Sequence, residues 1–157
     1  MPLLKMTVED VVLDEQGRPV VLLKEEEGIR ALPIWIGPAE AHAIKTELLG
    51  QKAPRPMTHD LMKKVMDLVG FRLLKVEVTD VRDDTFFAEL SLQADEKPLQ
   101  RIDCRPSDAI ALALRMNSPI FIAEELFSRI EKERQEARER EEETGATRVE
   151  PGEPMIH

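Results

Sequence analysis

A chain of 157 residues with 42% hydrophobic residues is long enough to bury a core, and it has no run of eighteen uncharged apolar residues that could cross a membrane. Its formal net charge of −9 excludes a basic nucleic-acid module of the ordinary kind, because such modules depend on clustered Lys and Arg. Any anion-binding site must therefore be formed by a local group of positive charges on an acidic chain. A single cysteine, and an N-terminus that lacks the apolar run of a signal peptide, predict a protein of the reducing cytoplasm.

The N-terminal segment predicts a meander of three strands. Branched apolar residues at 3–13 and 20–24 flank the turn-forming sequence DEQGRP, and IRALPIWI at 29–36 continues the pattern. Pro33 favours an edge position for the third strand, because proline cannot donate a hydrogen bond to a neighbouring strand.

Two helices follow the meander. Gly37 and Pro38 begin the first, which Gly50 ends. The second begins at Thr58, whose hydroxyl can cap the free amides of the first turn, and ends at Gly70. Apolar residues fall on one continuous face of this second helix, which predicts that it covers a sheet. They are Leu61, Met62, Val65, Met66, Leu68 and Val69.

The next segment predicts further strands and one buried helix. The strands lie at 71–81, 85–93, 99–104 and 120–123. The helix at 107–115 is apolar around most of its circumference and should be largely buried. Hairpin-like neighbours indicate an α+β fold with a mixed, largely antiparallel twisted sheet packed by three core helices.

The C-terminal segment differs in composition. From Glu124 the chain has almost no apolar stripe, which predicts a solvated helix to about Glu143 and a disordered tail at 144–157. We accordingly expect an α+β domain at 1–125 and a charged helix with its tail at 126–157.

Two segments place an arginine, a proline, a hydroxyl residue and an acid at the start of a helix. They are RPMTHD at 55–60 and RPSD at 105–108. A helix N-terminus offers free amides and partial positive charge, and the guanidinium adds donors that suit phosphate. Arg55, Thr58, Arg105 and Ser107 are thus candidate phosphate ligands. Ordinary capping explains the same residues without a ligand, and that alternative stays open.

On the apolar third helix, Asp108 and Arg115 are seven residues apart and lie on nearly the same line along the helix. A polar stripe on a buried helix needs partners. Either Arg115 faces a cleft where it binds an anion, or a carboxylate holds it in a structural pair.

His59 is the histidine best placed for proton transfer, because it lies at a helix start that could hold a phosphate. A surface role is the alternative. His42 lies about 160° around the first helix from Glu40, so the two are not expected to share a site.

Metal binding would have to come from carboxylates, since no Cys/His cluster is present. Glu40, Asp60 and Asp108 all lie near helix starts, and together they could hold Mg²⁺ or Mn²⁺ for phosphodiester hydrolysis. Cys104 is expected to be a buried thiol at a strand end rather than a reactive one.

Three motifs, LPIWIGPAEAHAI, RPMTHDL and DCRPSDAIALALR, closely resemble the bifunctional nuclease domain family in their order and spacing. The resemblance covers about positions 3–125. It implies a compact α+β domain with nuclease activity on RNA and DNA. The residues that match the motifs are Glu40, Arg55, Thr58, His59, Asp60, Arg105, Ser107, Asp108 and Arg115.

We therefore expect a nuclease acting on single-stranded or flexible nucleic acid. His59, Asp60, Asp108 and Glu40 are its candidate catalytic residues. The alternatives are a non-catalytic regulator that binds a nucleotide or phosphorylated metabolite at the helix starts, and a structural interaction module. No membrane partner is expected, and a homo-oligomer is left open.

Overall fold

The computed structural model describes residues 2–148 and shows an α+β fold. Its strands are β1 (Leu3–Leu13), β2 (Pro19–Glu25), β3 (Ala31–Trp35), β4 (Arg72–Arg82), β5 (Thr85–Gln93), β6 (Gln100–Cys104) and β7 (Ile120–Ala123). Its helices are α1 (Pro38–Leu48), α2 (Thr58–Val69), α3 (Pro106–Met116) and α4 (Glu124–Arg148). The predicted fold class and order of elements are confirmed.

The strands form one mixed sheet in the order β3-β2-β1-β7-β4-β5-β6. β4 and β7 are parallel, and the other neighbouring pairs are antiparallel. Two meanders, β1 to β3 and β4 to β6, are joined through β7. Pro33 lies in the edge strand β3 opposite Leu22, as predicted, where its missing N–H costs little.

Proline, glycine and asparagine set the ends of the helices that carry the site. Pro38 and Pro106 are the first residues of α1 and α3, where proline loses no helical hydrogen bond. α2 ends at Gly70 with φ of 82°, and α3 ends at Asn117 with φ of 51°. Glycine adopts this left-handed conformation without strain, and asparagine tolerates it.

α3 lies in the core. Ile110, Ala111, Leu112 and Ala113 are at most 1% exposed, and the helix packs against β4, β5, α1 and α2. Burying a side chain such as Ile110 contributes about 1.5–3 kcal/mol, so this helix anchors the side of the sheet on which α1 also packs. Its predicted burial is confirmed.

α2 does not cover the sheet, and that prediction is wrong. The helix packs mainly against α3, and His59 is its only buried residue. Its apolar face points outward, with Leu61 57%, Val65 50% and Leu68 86% exposed. Because α1 and α3 already pack on the strands, α2 lies outside them on α3.

α4 begins in the core and then leaves it. Leu126, Phe127 and Ile130 are buried with the residues of the sheet, immediately after the predicted domain boundary at residue 125. Farther along, Arg134 donates a hydrogen bond of 2.7 Å to the carbonyl oxygen of Pro33 and so ties α4 to β3.

Beyond this contact residues 135–144 of α4 are exposed, as predicted. It continues to Arg148, so residues 144–148 are helical rather than part of the predicted disordered tail. The rest of that predicted tail, 149–157, lies outside the described residues. Across the part of the chain that is described, no helix is both long and apolar enough to cross a lipid bilayer.

Candidate functional site

The N-terminal turns of α1, α2 and α3 meet at one hollow of about 420 Å³, which we call the histidine cleft. Because α1 and α2 both pack against α3, motifs that are far apart in the sequence lie side by side. The cleft is lined by Ala39, Glu40, His42, Ala43, Met57, Thr58, His59, Arg105 and Asp108. It brings together five of the nine predicted site residues: Glu40, Thr58, His59, Arg105 and Asp108.

The centre of the histidine cleft is a pair formed by His59 and Asp108. His59 Nε2 lies 2.9 Å from Asp108 Oδ1, and the histidine side chain is only 7% exposed. Partial burial raises the pKa of Asp108, but hydrogen bonds from Arg105 and His59 outweigh it, so the pKa lies below its ordinary value of 3.8. Asp108 is therefore ionised at neutral pH, and Nε2 must donate the shared proton.

This pairing determines which nitrogen of His59 can act as a proton acceptor. With the proton on Nε2, a neutral imidazole has its lone pair on Nδ1. Among the described residues no group bonds to Nδ1, and the atom is not sealed from solvent. In a neutral His59 the bond to Asp108 thus leaves Nδ1 as the nitrogen that can accept a proton.

Arg105 brings positive charge to the same place. Its Nε donates to Asp108 Oδ2 at 2.8 Å, and its Nη1 donates to Glu40 Oε1 at 2.9 Å. The side chain is still 64% exposed, whereas that of Glu40 is 16% exposed. Its Nη2 also donates to Asp108 Oδ1 at 3.2 Å, so the two carboxylates engage all three nitrogens of the guanidinium and leave two of its five N–H donors for an anion.

Glu40 folds back over the turn that precedes its own helix. A Cβ atom at Gly37 would collide with the Glu40 carboxylate, so a larger residue there would require the flexible Glu40 side chain to shift. The absent side chain lets the carboxylate reach Arg105.

Asp60 and Arg115 form a second ion pair that braces the helices. Arg115 Nε donates to Asp60 Oδ1 at 2.7 Å, and its other two nitrogens donate to the carbonyl oxygens of Ala111 and Ala43. The Arg115 side chain is 3% exposed. Of the two alternatives for this arginine, the structure shows a pair with a carboxylate, which links α1, α2 and α3.

The cap of α2 comes from Asp60 and not from Thr58. Asp60 Oδ2 accepts a hydrogen bond of 2.8 Å from the backbone amide of Met57, which is the N-cap residue. This bond is the main cause of the lowered pKa of Asp60, opposed by burial and supported by Arg115. Thr58 is the first helical residue, and it lines the histidine cleft.

The remaining predicted phosphate ligands lie in other hollows. Arg55 lines a neighbouring hollow on the other side of Met57, and Ser107 lines a third hollow beside β3. The N-cap residue of α3 is Arg105, so Ser107 does not cap that helix either. The two arginine-bearing turns are adjacent but do not form two equivalent cradles.

The predicted carboxylate set does not fit a divalent cation in this arrangement. Arg105 lies between Glu40 and Asp108, and the oxygens of Asp60 accept hydrogen bonds from Arg115 and Met57. Within residues 2–148 no group of three His, Cys, Asp or Glu side chains is placed to hold a metal ion. An ion at Glu40 and Asp108 would have to displace the guanidinium.

His42 lines the histidine cleft, although its rotation on α1 relative to Glu40 predicts separate positions. The helical angle alone could not reveal this, because the cleft is completed by residues of α2 and α3. A second imidazole therefore also lines the histidine cleft.

Cys104 is not a nucleophile of this site. Burial and the charges of Asp108, Asp103 and Glu89 raise the pKa of its thiol to about 12. The thiol is therefore protonated at neutral pH and unreactive, as expected for a thiol at a strand end.

The family model of the bifunctional nuclease domain matches residues 21–135 of this chain. The chain belongs to this family. A Mycobacterium tuberculosis protein named Uncharacterized protein Rv1829 is similar to it, with 42% identity over 113 residues, 72% of this chain and 66% of its own length. Bifunctional nuclease 1 of Arabidopsis thaliana is 29% identical over 112 residues, 69% of this chain and 34% of its own.

A second Arabidopsis thaliana protein, Bifunctional nuclease 2, is 30% identical over 105 residues, which cover 65% of this chain and 32% of its own length. The chain thus spans about a third of the length of the plant proteins and just under two thirds of the length of the mycobacterial protein. The family matches over the segment that contains all three motifs and the histidine cleft.

Proposed function

We propose that this protein is a nuclease that hydrolyses phosphodiester bonds of single-stranded or flexible RNA and DNA. The observation that carries the proposal is the His59–Asp108 pair, which leaves one imidazole nitrogen without a partner on a residue that lines the same cleft as the exposed Arg105. Membership of the bifunctional nuclease domain family supports the same reaction.

The proposed reaction uses water as the nucleophile, because DNA has no 2′-hydroxyl. His59 Nδ1 accepts a proton from the water as its oxygen bonds to phosphorus. The bond from phosphorus to the leaving oxygen breaks, and that oxygen takes a proton from solvent, to which His59 later returns the proton it accepted. Asp108 keeps the His59 tautomer and stabilises the imidazolium that forms.

Arg105 stabilises the additional negative charge that the phosphate gains in the transition state. Glu40 and Asp108 hold the guanidinium in place before substrate arrives, so less ordering is needed during the reaction. Thr58 lines the same cleft and is proposed to donate its hydroxyl to a phosphate oxygen.

The proposed mechanism does not use a divalent metal ion, because Arg105 bridges Glu40 and Asp108 and this arrangement does not fit one. Mg²⁺ or Mn²⁺ would supply Lewis-acid charge to the phosphate, and it would bind Glu40 and Asp108 only after Arg105 had moved away. Asp60 is held in its pair with Arg115 and is the least available of the three predicted ligands.

The test is cleavage of labelled single-stranded RNA and DNA by purified protein, with and without chelator. His59→Gln keeps much of the side-chain volume and an amide donor toward Asp108 but cannot titrate. We expect it to lower kcat roughly 100- to 10,000-fold while the melting temperature stays near that of the parent. Lys132→Gln, an exposed change on α4, is the matched control and should leave kcat unchanged.

Equal cleavage by the parent and His59→Gln would mean that the activity comes from a contaminant or from another site. Activity that survives in His59→Gln but disappears with chelator would replace the histidine mechanism by one based on a metal ion.

A second candidate function is a regulator that binds a nucleotide or phosphorylated metabolite in the same cleft. The net charge of −9 favours it, because an acidic protein captures polynucleotides weakly and a small anion needs only local charge. Such a protein would bind the ligand in calorimetry without turning it over. Either activity is proposed for the cytoplasm, which suits a chain with one cysteine.

A further inference from the structure

A second hollow, of about 530 Å³, lies on the other side of Met57 from the histidine cleft. We call it the basic groove. One wall is the connection between α1 and α2, which contributes Lys52 and Arg55, and the other is α2, which contributes Lys63 and Lys64. Met57 lines both hollows, so they are adjacent.

The four cations of the basic groove have no acidic partners. Among the described residues none of the ion pairs or side-chain hydrogen bonds includes Lys52, Arg55, Lys63 or Lys64. The histidine cleft differs, because its arginine is held by two carboxylates. Unpaired like charges repel one another, so their collection along one groove favours an anionic ligand.

The local charge of the basic groove is opposite in sign to that of the whole chain. Its acidic lining consists of Glu47, Asp67 and Asp60, and Asp60 is neutralised by Arg115. Four free cations against two free carboxylates leave a net charge of +2, on a chain whose net charge is −9. The positive charge needed for a nucleic-acid substrate is therefore concentrated beside the reactive cleft.

The form of the basic groove suits a chain of phosphates better than one small anion. Its cations stand on two walls, and Lys52, Arg55 and Lys64 are exposed. Pro54 and Pro56 restrict the backbone of the connecting wall on either side of Arg55. No aromatic side chain lines the groove, so binding there would depend on the phosphate backbone and not on base stacking.

We propose that the basic groove binds the phosphate backbone of single-stranded nucleic acid on one side of the bond that is cut in the histidine cleft. This inference rests on the proposed nuclease function. It assigns Lys52, Lys63 and Lys64 to substrate capture together with Arg55, and it predicts affinity with little dependence on base sequence.

The test compares two triple variants that remove the same charge. One is Lys52→Gln, Lys63→Gln and Lys64→Gln in the basic groove. The matched control is Arg101→Gln, Lys132→Gln and Arg138→Gln, three exposed cations elsewhere on the protein. Binding of a labelled single-stranded oligonucleotide is measured at several salt concentrations in the His59→Gln background, and KM and kcat are measured with His59 present.

The groove variant should bind the oligonucleotide roughly 10- to 100-fold more weakly at 0.1 M salt. The slope of log K against the logarithm of the salt concentration should be smaller in magnitude by about 2. Its KM for an oligonucleotide should rise while kcat stays the same, and cleavage of a dinucleotide should be unaffected. The control should stay within about twofold of the parent.

Two results separate this inference from the proposed function. Normal cleavage together with equal binding by the groove and control variants would overturn the inference alone. A parent protein that binds through the groove but cuts nothing would support the groove and overturn the nuclease. Failure of the parent to bind oligonucleotide at low salt would overturn the groove as well.

Discussion

Asp60 has two structural tasks, because one oxygen caps α2 and the other neutralises the buried Arg115. Asp60→Asn would leave the guanidinium without its counter-charge. Breaking a fully buried ion pair costs about 3–5 kcal/mol, and since Asp60 is 33% exposed we expect a loss of about 2–3 kcal/mol in the free energy of unfolding. Urea denaturation measures it.

Asp67→Asn is the matched control, because Asp67 lies on the same helix and is exposed. It should change stability by less than about 0.5 kcal/mol. If Asp60→Asn instead abolished cleavage while leaving stability intact, Asp60 would belong to the chemistry, as its motif predicts, and not to the brace.

At the scale of elements, α2 presents its apolar face to solvent. Leu68 is 86% exposed, so Leu68→Lys should alter the free energy of unfolding by less than about 0.5 kcal/mol. The contrasting variant is Ile110→Ala in α3, where the side chain is 1% exposed and its loss should cost about 2–5 kcal/mol. Thermal unfolding monitored by circular dichroism compares the two.

A large loss of stability in Leu68→Lys would mean that the face is covered in solution. Light scattering on the parent and the variant would then show whether the cover is a second copy of the chain, released by the added charge.

The order and type of the elements could be predicted from the sequence because local signals define them. Pro38 and Gly70 mark the start of α1 and the end of α2 wherever those helices pack. The position of α2 could not be predicted in this way. Amphipathic spacing identifies which face of a helix is apolar, but the surface that the face meets depends on whether other helices already cover the sheet.

In the candidate site too, the sequence indicates which residues matter but not which residues pair across the molecule. Motif position indicates His59 and Asp108, and the fold joins them at 2.9 Å. The partner of Arg115 could not be identified in the same way. The polar stripe on α3 indicates only that Arg115 needs a partner, and Asp60, which provides the carboxylate, is 55 positions away in the sequence. Pairings between helices require tertiary packing, which a pattern within one helix does not contain.

Stability of the whole molecule should depend on pH through several carboxylates. A hydrogen bond from Trp35, with others from Arg18, lowers the pKa of Asp14 to about 2, and Arg82 and Arg129 lower that of Asp80 to about 2. The pKa values of Asp60 and Asp108 are also below the ordinary 3.8. These carboxylates therefore bind protons more weakly in the folded chain than in the unfolded one.

A carboxylate with a lowered folded pKa stabilises the fold fully above its unfolded pKa and ceases to do so as the pH falls through the folded value. We expect these groups to leave the melting temperature unchanged from about pH 7 to 5 and to lower it between about pH 4 and 2. Calorimetry across this range measures it. In Asp60→Asn one of these groups is missing, so the acid slope should be shallower than in the parent, while Asp67→Asn should retain the parental slope. Parallel slopes in all three proteins would remove Asp60 from the groups that drive acid unfolding.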